Sequence, residues 1–228
     1  MSSGPRPRVL VCDDEQQILR ALRVILRDAG FEAVPANDAE EALDLAAVSP
    51  PDAAIIDLVL PGIDGIELCR RLREWTEMPI IVLSAVGDEE AKVRALAAGA
   101  DDYVTKPFGP RELIARLQAN LRRTDPDPEE AVIEVDELTV DLASRVVRRG
   151  GEEIHLTPTE FDLLRLLVRN RGRLMTHRDL LVSVWGAGYG EDTQVLRAHI
   201  ANLRRKIEPS GARKYIRTDP GVGYRFAA

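Results

Sequence analysis

The chain has 228 residues, 45% of them apolar and 30% charged, enough for a substantial core in one large domain or two of ordinary size. No run approaches the ~20 apolar residues of a membrane helix, and the polar, proline-bearing start from Met1 to Arg8 lacks the apolar core of a secretion signal. The formal net charge of −7 hides a division, because residues 145–228 carry 16 Lys and Arg against 9 Asp and Glu whereas residues 1–144 carry 15 against 29. An acidic half followed by a basic half points to two domains with different partners, nucleic acid being a natural one for the second.

Arg8 to Cys12 reads as a short apolar strand ending in Asp13-Asp14-Glu15. Ile18, Leu19, Leu22, Ile25 and Leu26 then recur at helical spacing until Gly30 stops them. Phe31 to Ala36 reads as a second strand, and Asn37 or Asp38 caps a helix with Ala42, Leu43 and Ala46 on one side. The continuous apolar run from Ala54 to Leu60 reads as a strand buried on both faces. It carries Asp57 and breaks at Pro61-Gly62 and Asp64-Gly65. A helix from Ile66 to Trp75 follows, then a strand from Ile80 to Leu83 running into Ser84, and a helix from about Glu89 to Ala98. Asp102 to Thr105 forms the fifth strand and runs into Lys106-Pro107. Pro110 suits the first turn of a helix with Leu113, Ile114, Leu117 and Leu121 inward. Five strands alternating with five helices predict a doubly wound parallel sheet of α/β class over residues 1–123. The two cysteines, Cys12 and Cys69, show neither metal-ligand spacing nor a disulfide framework, and read as small core residues of a reducing, cytoplasmic compartment.

Residues 124–131 are acidic, contain two prolines and read as a linker. After it the pattern changes to α+β. Ile133 to Val147 alternates in short strands, Arg149 to Glu152 is a turn, and Ile154 to Leu156 another strand. Thr157-Pro158-Thr159-Glu160 combines an N-cap, a first-turn proline and a capping-box Glu, opening a helix that buries Phe161, Leu164, Leu167 and Val168. Thr176 caps a second helix through Trp185, a loop runs from Gly186 to Asp192, and a third helix spans about Thr193 to Ile207. Tyr215 to Phe226 reads as a hairpin turning at Asp219-Pro220-Gly221.

Strand ends on one edge of an open α/β sheet are where ligands bind. Asp13, Asp14 and Asp57 end two strands on that edge, and Ser84 and Lys106 end two more. Carboxylates that close repel one another unless a cation offsets them, and hard oxygen ligands in that number suit Mg2+. A hydroxyl and an ammonium facing a metal-bound carboxylate describe a phosphoryl-transfer site, with Asp57 as nucleophile. Read singly, Asp13 and Asp14 could instead cap the first helix, and Lys106 could be a solvated strand end.

Asp13-Asp14, Asp57, Leu60-Pro61 with Asp64-Gly65, Ser84-Ala85, the run Ala98 to Tyr103 and Lys106-Pro107-Phe108 together resemble the receiver domain of two-component response regulators. The resemblance implies that Asp57 accepts a phosphoryl group from a sensor histidine kinase. Asp13, Asp14, Asp57 and the Val59 backbone carbonyl would serve Mg2+, Asp13 mainly through water. Ser84 and Lys106 would contact phosphoryl oxygens, Tyr103 would be an aromatic switch, and the Lys106-Pro107 bond would be cis. Val59 weighs against a rival enzyme with an aspartyl-phosphate intermediate, since dehalogenase-type phosphatases carry a general-acid Asp two residues after the nucleophile.

The helices on either side of the fifth strand present Lys92, Asp101, Asp102, Glu112, Arg116 and Arg123 around Val93, Leu96 and Ala115. Charge and spacing alone describe a solvated face with an i,i+4 pair, Glu112 to Arg116. By resemblance these residues match the salt-bridged homodimer face of winged-helix response regulators, formed on phosphorylation.

On the helix from Thr193, Leu196, Ile200, Leu203 and Ile207 form an apolar stripe, and the other side carries Gln194, Arg197, Ala198, Ala201, Asn202, Arg204 and Arg205. Such a helix can pack by one side and enter a major groove by the other, with Arg205 reaching a guanine and His199, Arg204 and Lys206 at phosphates. A basic solvated helix is the alternative. The marks Leu156 to Phe161, Leu180-Leu181 with Val184-Trp185-Gly186, His199-Ile200 with Leu203 to Lys206, and Gly221 to Phe226 resemble the OmpR/PhoB-type winged helix-turn-helix domain over residues 132–228. That resemblance makes the hairpin a wing, with Arg217 and Thr218 near the minor groove or phosphates, and places the Gly186 to Asp192 loop towards RNA polymerase. Pro220 departs from the family, standing where many members have a basic or polar wing tip. Thr139 to Ala143 and Ile154 to Glu160 are most similar to the subgroup that regulates potassium uptake. The expected function is a transcriptional response regulator that dimerises on tandem DNA sites, not an enzyme. A DNA-binding protein whose receiver no longer uses phosphate is opposed by the intact set of Asp13, Asp14, Asp57, Ser84 and Lys106.

Overall fold

The computed structural model describes residues 6–85, 89–121, 132–186, 189, 193–208 and 215–227, in two compact units, Met1–Leu121 and Arg122–Ala228. The proposed linker over 124–131 lies outside the described residues.

The first unit is the expected (βα)5 fold. Strands β1 (Arg8–Cys12), β2 (Glu32–Ala36), β3 (Ala53–Asp57), β4 (Ile80–Ala85) and β5 (Asp102–Lys106) form one sheet in the order β2-β1-β3-β4-β5, and every neighbouring pair is parallel. Its helices are α1 (Gln16–Asp28), α2 (Ala39–Val48), α3 (Gly65–Arg73), α4 (Glu89–Ala97) and α5 (Pro110–Leu121). All five residues of β3 are buried, as its unbroken apolar run requires of a central parallel strand. One core gathers Leu19, Leu22 and Leu26 of α1, Leu113 and Leu117 of α5, and Val9, Ile55, Ile81 and Leu83 of the sheet face they cover. Asp38 and Asp64 cap α2 and α3 by accepting from the Glu41 and Glu67 amides, both at 2.8 Å. At the edge, β2 places Pro35 opposite Val11.

The strand order reverses between β1 and β3, so the crevice outside their C-terminal ends is where the topology leaves room for a ligand. Cys12 and Asp57 end those strands, Ala85 and Lys106 end the next two, and Ser84 precedes Ala85. The bond between Lys106 and Pro107 is cis, as expected.

The second unit opens with an antiparallel sheet of β6 (Val132–Val135), β7 (Leu138–Asp141), β8 (Val146–Arg149) and β9 (Glu152–Ile154). Helices α6 (Pro158–Arg169), α7 (His177–Trp185) and α8 (Thr193–Ile207) pack on one another. A second sheet joins β10 (Leu174–Thr176), β12 (Gly223–Phe226) and β11 (Ile216–Asp219) in that order. The expected strand over Ile154 to Leu156 is displaced: β9 ends at Ile154, because the chain must turn out of the sheet to put Thr157 at the head of α6. There Thr157 and Glu160 form the anticipated capping box, and Thr176 with Asp179 repeats it on α7. Strand β10 was not expected, being three residues whose pairing partner lies some fifty positions away.

Candidate functional site

Lys106 Nζ stands 2.9 Å from Asp13 Oδ2 and 2.9 Å from Asp57 Oδ2, joining the ends of β1, β3 and β5. Asp13 is fully buried and Asp57 is 6% exposed, whereas Asp14 faces solvent. One carboxylate oxygen from each of Asp13, Asp14 and Asp57 falls within a 4.8 Å span. Burial pushes the Asp57 carboxyl above the ordinary carboxylate range, and Asp13 adds to this; the Lys106 hydrogen bond and charge only partly offset it. Burial also works against the Lys106 ammonium, but its hydrogen bonds to Asp57 and Asp13 outweigh that and hold its pKa above the ordinary lysine value.

Three carboxylates and one ammonium leave two negative charges uncompensated, the charge of one divalent cation. Ser84 is buried, and its Oγ has no hydrogen-bond partner among the described residues. A buried hydroxyl left unpaired is costly, so Ser84 is a polar group suited to an oxygen-rich ligand. These residues fit both a hard cation and a phosphoryl group. Asp13 also turns its other oxygen to the Glu15 amide at 2.9 Å, but α1 begins after Glu15 with no side-chain cap, so neither Asp13 nor Asp14 caps the first helix. Val59, two residues beyond Asp57, is 75% exposed. The neighbouring Cys12 thiol donates to Asp38 O at 3.2 Å, and burial, reinforced by Asp38 and Asp13, pushes its pKa up to about 12. It is an inert core residue, as expected.

The face predicted around β5 is only partly assembled as expected. Tyr103 is buried, with Lys92 Nζ 4.8 Å from its ring centroid, and Lys92 also pairs with Glu89 at 2.9 Å. Lys92 and Leu96, one turn apart on α4, are buried rather than displayed, at 6% and 1% exposure. Asp101 is fully buried and faces inward. It pairs with Arg73 of α3 and accepts from the Ile80 amide at 2.9 Å. Asp102 is also buried and pairs with Arg116 at 3.2 Å, while Arg116 meets Glu112 at 2.9 Å. Val93, Glu112 and Ala115 are exposed, and Arg123 lies outside the described residues.

On α8, Gln194, Arg197 and Arg205 are exposed and Ala198 is half-buried, so these four share an open side. His199 and Asn202 correct the sequence reading, being 1% and 4% exposed. Each lies three residues on from a buried position, Leu196 and His199 respectively, so helical geometry rotates both onto the packed stripe. The His199 ring lies 5.4 Å from that of Trp185. Arg205 Nη2 donates to Asn202 Oδ1 at 3.0 Å. Lys206 Nζ meets the buried Glu160 carboxylate at 2.6 Å, and Arg204 bonds to the hairpin, so both cations have internal partners. Arg217 is exposed and Thr218 half-buried on β11. Most of the Gly186 to Asp192 loop lies outside the described residues.

Two buried carboxylates of this unit escaped the sequence reading as structural anchors. Glu160 was legible as a cap, but not as the partner of Lys206, and Glu208 carried no local signal. His177 was passed over as well. Its ring lies 5.5 Å from that of Tyr224, and burial, then the Arg197 charge, lowers its pKa.

The family profile described as response regulator receiver domain matches residues 9–118, and that described as transcriptional regulatory protein, C terminal, matches residues 151–226. The transcriptional regulatory protein KdpE of Mycobacterium tuberculosis (strain ATCC 25618 / H37Rv) is 50% identical over 223 residues, covering 96% of this chain and 99% of that protein. The KDP operon transcriptional regulatory protein KdpE of Escherichia coli (strain K12) is 48% identical, covering 96% and 98%. Among solved structures, a point mutant of RitR superposes with a TM-score of 0.76 at 25% identity, covering 96% of this chain and 98% of that one. DrrB of Thermotoga maritima, an OmpR/PhoB homolog, gives 0.52 at 31% identity over 98% and 100%. No helix among the described residues is long and apolar enough to cross a membrane.

Proposed function

The chain belongs to the response regulator family, as a transcriptional regulator that joins a receiver domain to a DNA-binding C-terminal domain, and on that premise we propose that Asp57 is the group phosphorylated by its histidine kinase. It is a regulator and not an enzyme, in keeping with its relatives. One observation carries the proposal: Lys106 bridges Asp13 and Asp57 at 2.9 Å each, beside the unpaired hydroxyl of Ser84.

In the transfer, an Asp57 carboxylate oxygen attacks the phosphorus of the kinase's phosphohistidine. A P–O bond forms as the P–N bond breaks, and the electron pair leaves on the imidazole nitrogen, which then takes a proton. Asp13, Asp14, Asp57 and the Val59 carbonyl would hold Mg2+, which supplies charge neutralisation of the transferred group. Lys106, positively charged and already in contact with the acceptor, stabilises the negative charge gathered on the phosphoryl oxygens. Ser84 donates a hydrogen bond to one of them and gains a partner that it lacks among the described residues.

Phosphorylation draws Ser84 towards the phosphoryl group, and Tyr103 with Lys92 registers the change on the β5 side. There Val93, Glu112 and Ala115 form the exposed part of a homodimer face, beside the part-buried Arg116. The basic side of α8, with Gln194, Arg197, Ala198 and Arg205, enters the major groove, and Arg217 and Thr218 approach the backbone. RNA polymerase is the further partner, the cytoplasm the compartment, and the genes of a KDP operon the target suggested by the relatives' names.

Acetyl phosphate with mass spectrometry tests the acceptor. A slowly decaying phosphoryl adduct on Asp57, absent in Asp57→Asn, is expected. Steady release of phosphate, or no adduct in the presence of Mg2+, would sink the proposal.

A further inference from the structure

Arg204 and Glu208 stand one turn apart at the end of α8, and both reach the same residue of β11. The Arg204 guanidinium donates to the Ile216 carbonyl oxygen from Nε at 3.2 Å and from Nη2 at 2.7 Å, and Nη2 also lies 2.8 Å from Thr218 Oγ1. The buried Glu208 carboxylate accepts from the Ile216 amide at 2.8 Å and from the Tyr215 amide at 3.1 Å. Ile216 is thus gripped by its N–H and its C=O from two side chains of one helix.

The strand order explains the need. β11 is an edge strand paired only with β12, and Tyr215 O turns to Ala227 N at 2.7 Å on that inner side. Backbone groups alternate sides along a strand, so those of Ile216 point outward, away from the sheet. Ile216 is fully buried, and unpaired backbone groups there would carry the cost of a lost hydrogen bond. Arg204 and Glu208 supply the bonds a further strand would have made.

We propose that Arg204 and Glu208 form a clamp that fixes the hairpin to the DNA-entering helix, so that Arg204 is a positioning residue of DNA binding and not a phosphate contact. Arg217 follows Ile216 and is exposed, so the clamp sets where Arg217 meets the duplex. A lysine would keep the charge and lose the fork, because Nε and Nη2 hold Ile216 O together, whereas an ammonium is a single nitrogen placed one atom short of Nη2.

The proposal rests on α8 being the helix that enters DNA, and the test separates the two. The full-length chain is titrated, at several salt concentrations, with a duplex that the unmodified protein selects from a random-sequence pool. Arg197→Gln should weaken binding and reduce the magnitude of the salt slope by about 0.9, as removal of one phosphate contact does. If it changes nothing, the reading of α8 fails. For the clamp, Arg204→Lys should lose roughly tenfold in affinity with an unchanged slope, in line with lost hydrogen bonds to a charged group. Arg217→Gln should weaken the unmodified protein yet change nothing further in an Arg204→Gln background. Amide exchange at Ile216 should quicken in Glu208→Ala, a readout independent of DNA. The clamp is overturned if Arg204→Lys binds as the unmodified protein does. It is equally overturned if Arg204→Gln flattens the slope by about 0.9, if the Arg204 and Arg217 effects simply add, or if Ile216 exchange is unmoved.

Discussion

Gly65 is pressed against the carbonyl oxygen of Asp57: a Cβ at Gly65 would lie 2.0 Å from that oxygen and 2.8 Å from Leu58 Cα. The amide of Gly65 also donates to Leu58 O at 3.1 Å, so the first turn of α3 fastens the chain that leaves the acceptor. Both opposing atoms are backbone and cannot swing aside. Gly65→Ala should therefore cost ~1–3 kcal/mol of stability, as overpacking does, and should slow Asp57 phosphorylation by acetyl phosphate. Urea unfolding and adduct formation read the two effects. Unchanged rates would mean that the Asp57 carboxylate is placed independently of its own backbone.

Divalent metal should stabilise the first unit, with the logarithm of its concentration once that exceeds the Kd. A cation that binds only the folded chain adds about 2.7 kcal/mol at a hundredfold excess over its Kd. Addition of Mg2+ should raise the melting temperature of the unmodified chain, and chelation should reverse it. Asp13→Asn and Asp14→Asn should each blunt the increase. An equal rise in both variants would place the metal elsewhere.

Lys106→Met should have opposite effects on metal and on phosphate. The ammonium is the cluster's internal counter-charge, 2.9 Å from two carboxylates. Its removal leaves the acidic side chains more dependent on a cation, and Mg2+ should bind roughly tenfold more tightly, a small part of the Coulomb energy available at that distance. Phosphoryl transfer should nevertheless fall by ten- to a hundredfold, the scale of a lost charge stabiliser. Calorimetric titration and adduct kinetics check the pair, and parallel losses would count against the assigned role.

Glu160 should matter more to folding than an ordinary helix cap. Its carboxylate accepts from the Thr157 amide at 2.8 Å and pairs with Lys206 at 2.6 Å while 1% exposed. Glu160→Ala removes both bonds and leaves the Lys206 ammonium partly buried without its partner, so a loss of ~3–5 kcal/mol is expected in denaturant unfolding. Glu160→Gln keeps an acceptor and should lose clearly less. Equal losses would show that packing, not charge, is what the side chain contributes.

The receiver pocket was legible because its groups sit at strand ends, where sequence position and spatial position nearly coincide. Once β1, β3, β4 and β5 are known to be parallel neighbours, Asp13, Asp57, Ser84 and Lys106 must share an edge. Asp101 shows the opposite case. Its partner Arg73 comes from α3, 28 residues back, with Nε 2.7 Å from Gly99 O and Nη1 2.5 Å from Met78 O. Nothing in the local pattern of either residue announces that network, so Asp101 read as a surface charge. His199 and Asn202 were misplaced for a related reason. A polar residue beside an apolar stripe reads as exposed, yet three or four residues per turn bring it onto that stripe whenever the packed face is wide. The clamp on Ile216 needed both the edge position of β11 and the exit direction of α8, neither of which a single segment carries.

The proline of β2 has a consequence for how the protein behaves in a crowded solution. Asp13 N donates to Ala36 O at 3.2 Å and Glu32 N to Pro7 O at 2.9 Å, so alternate residues of β2 turn towards β1 and Pro35 turns its backbone away. The outer margin of the strand thus has its missing donor where a foreign chain would seek one, leaving the Ala33 N–H alone within Glu32–Ala36 to offer. A peptide trying to zip onto that side would lose the rung that Pro35 cannot donate, and runaway sheet growth between molecules is discouraged at the cost of one residue.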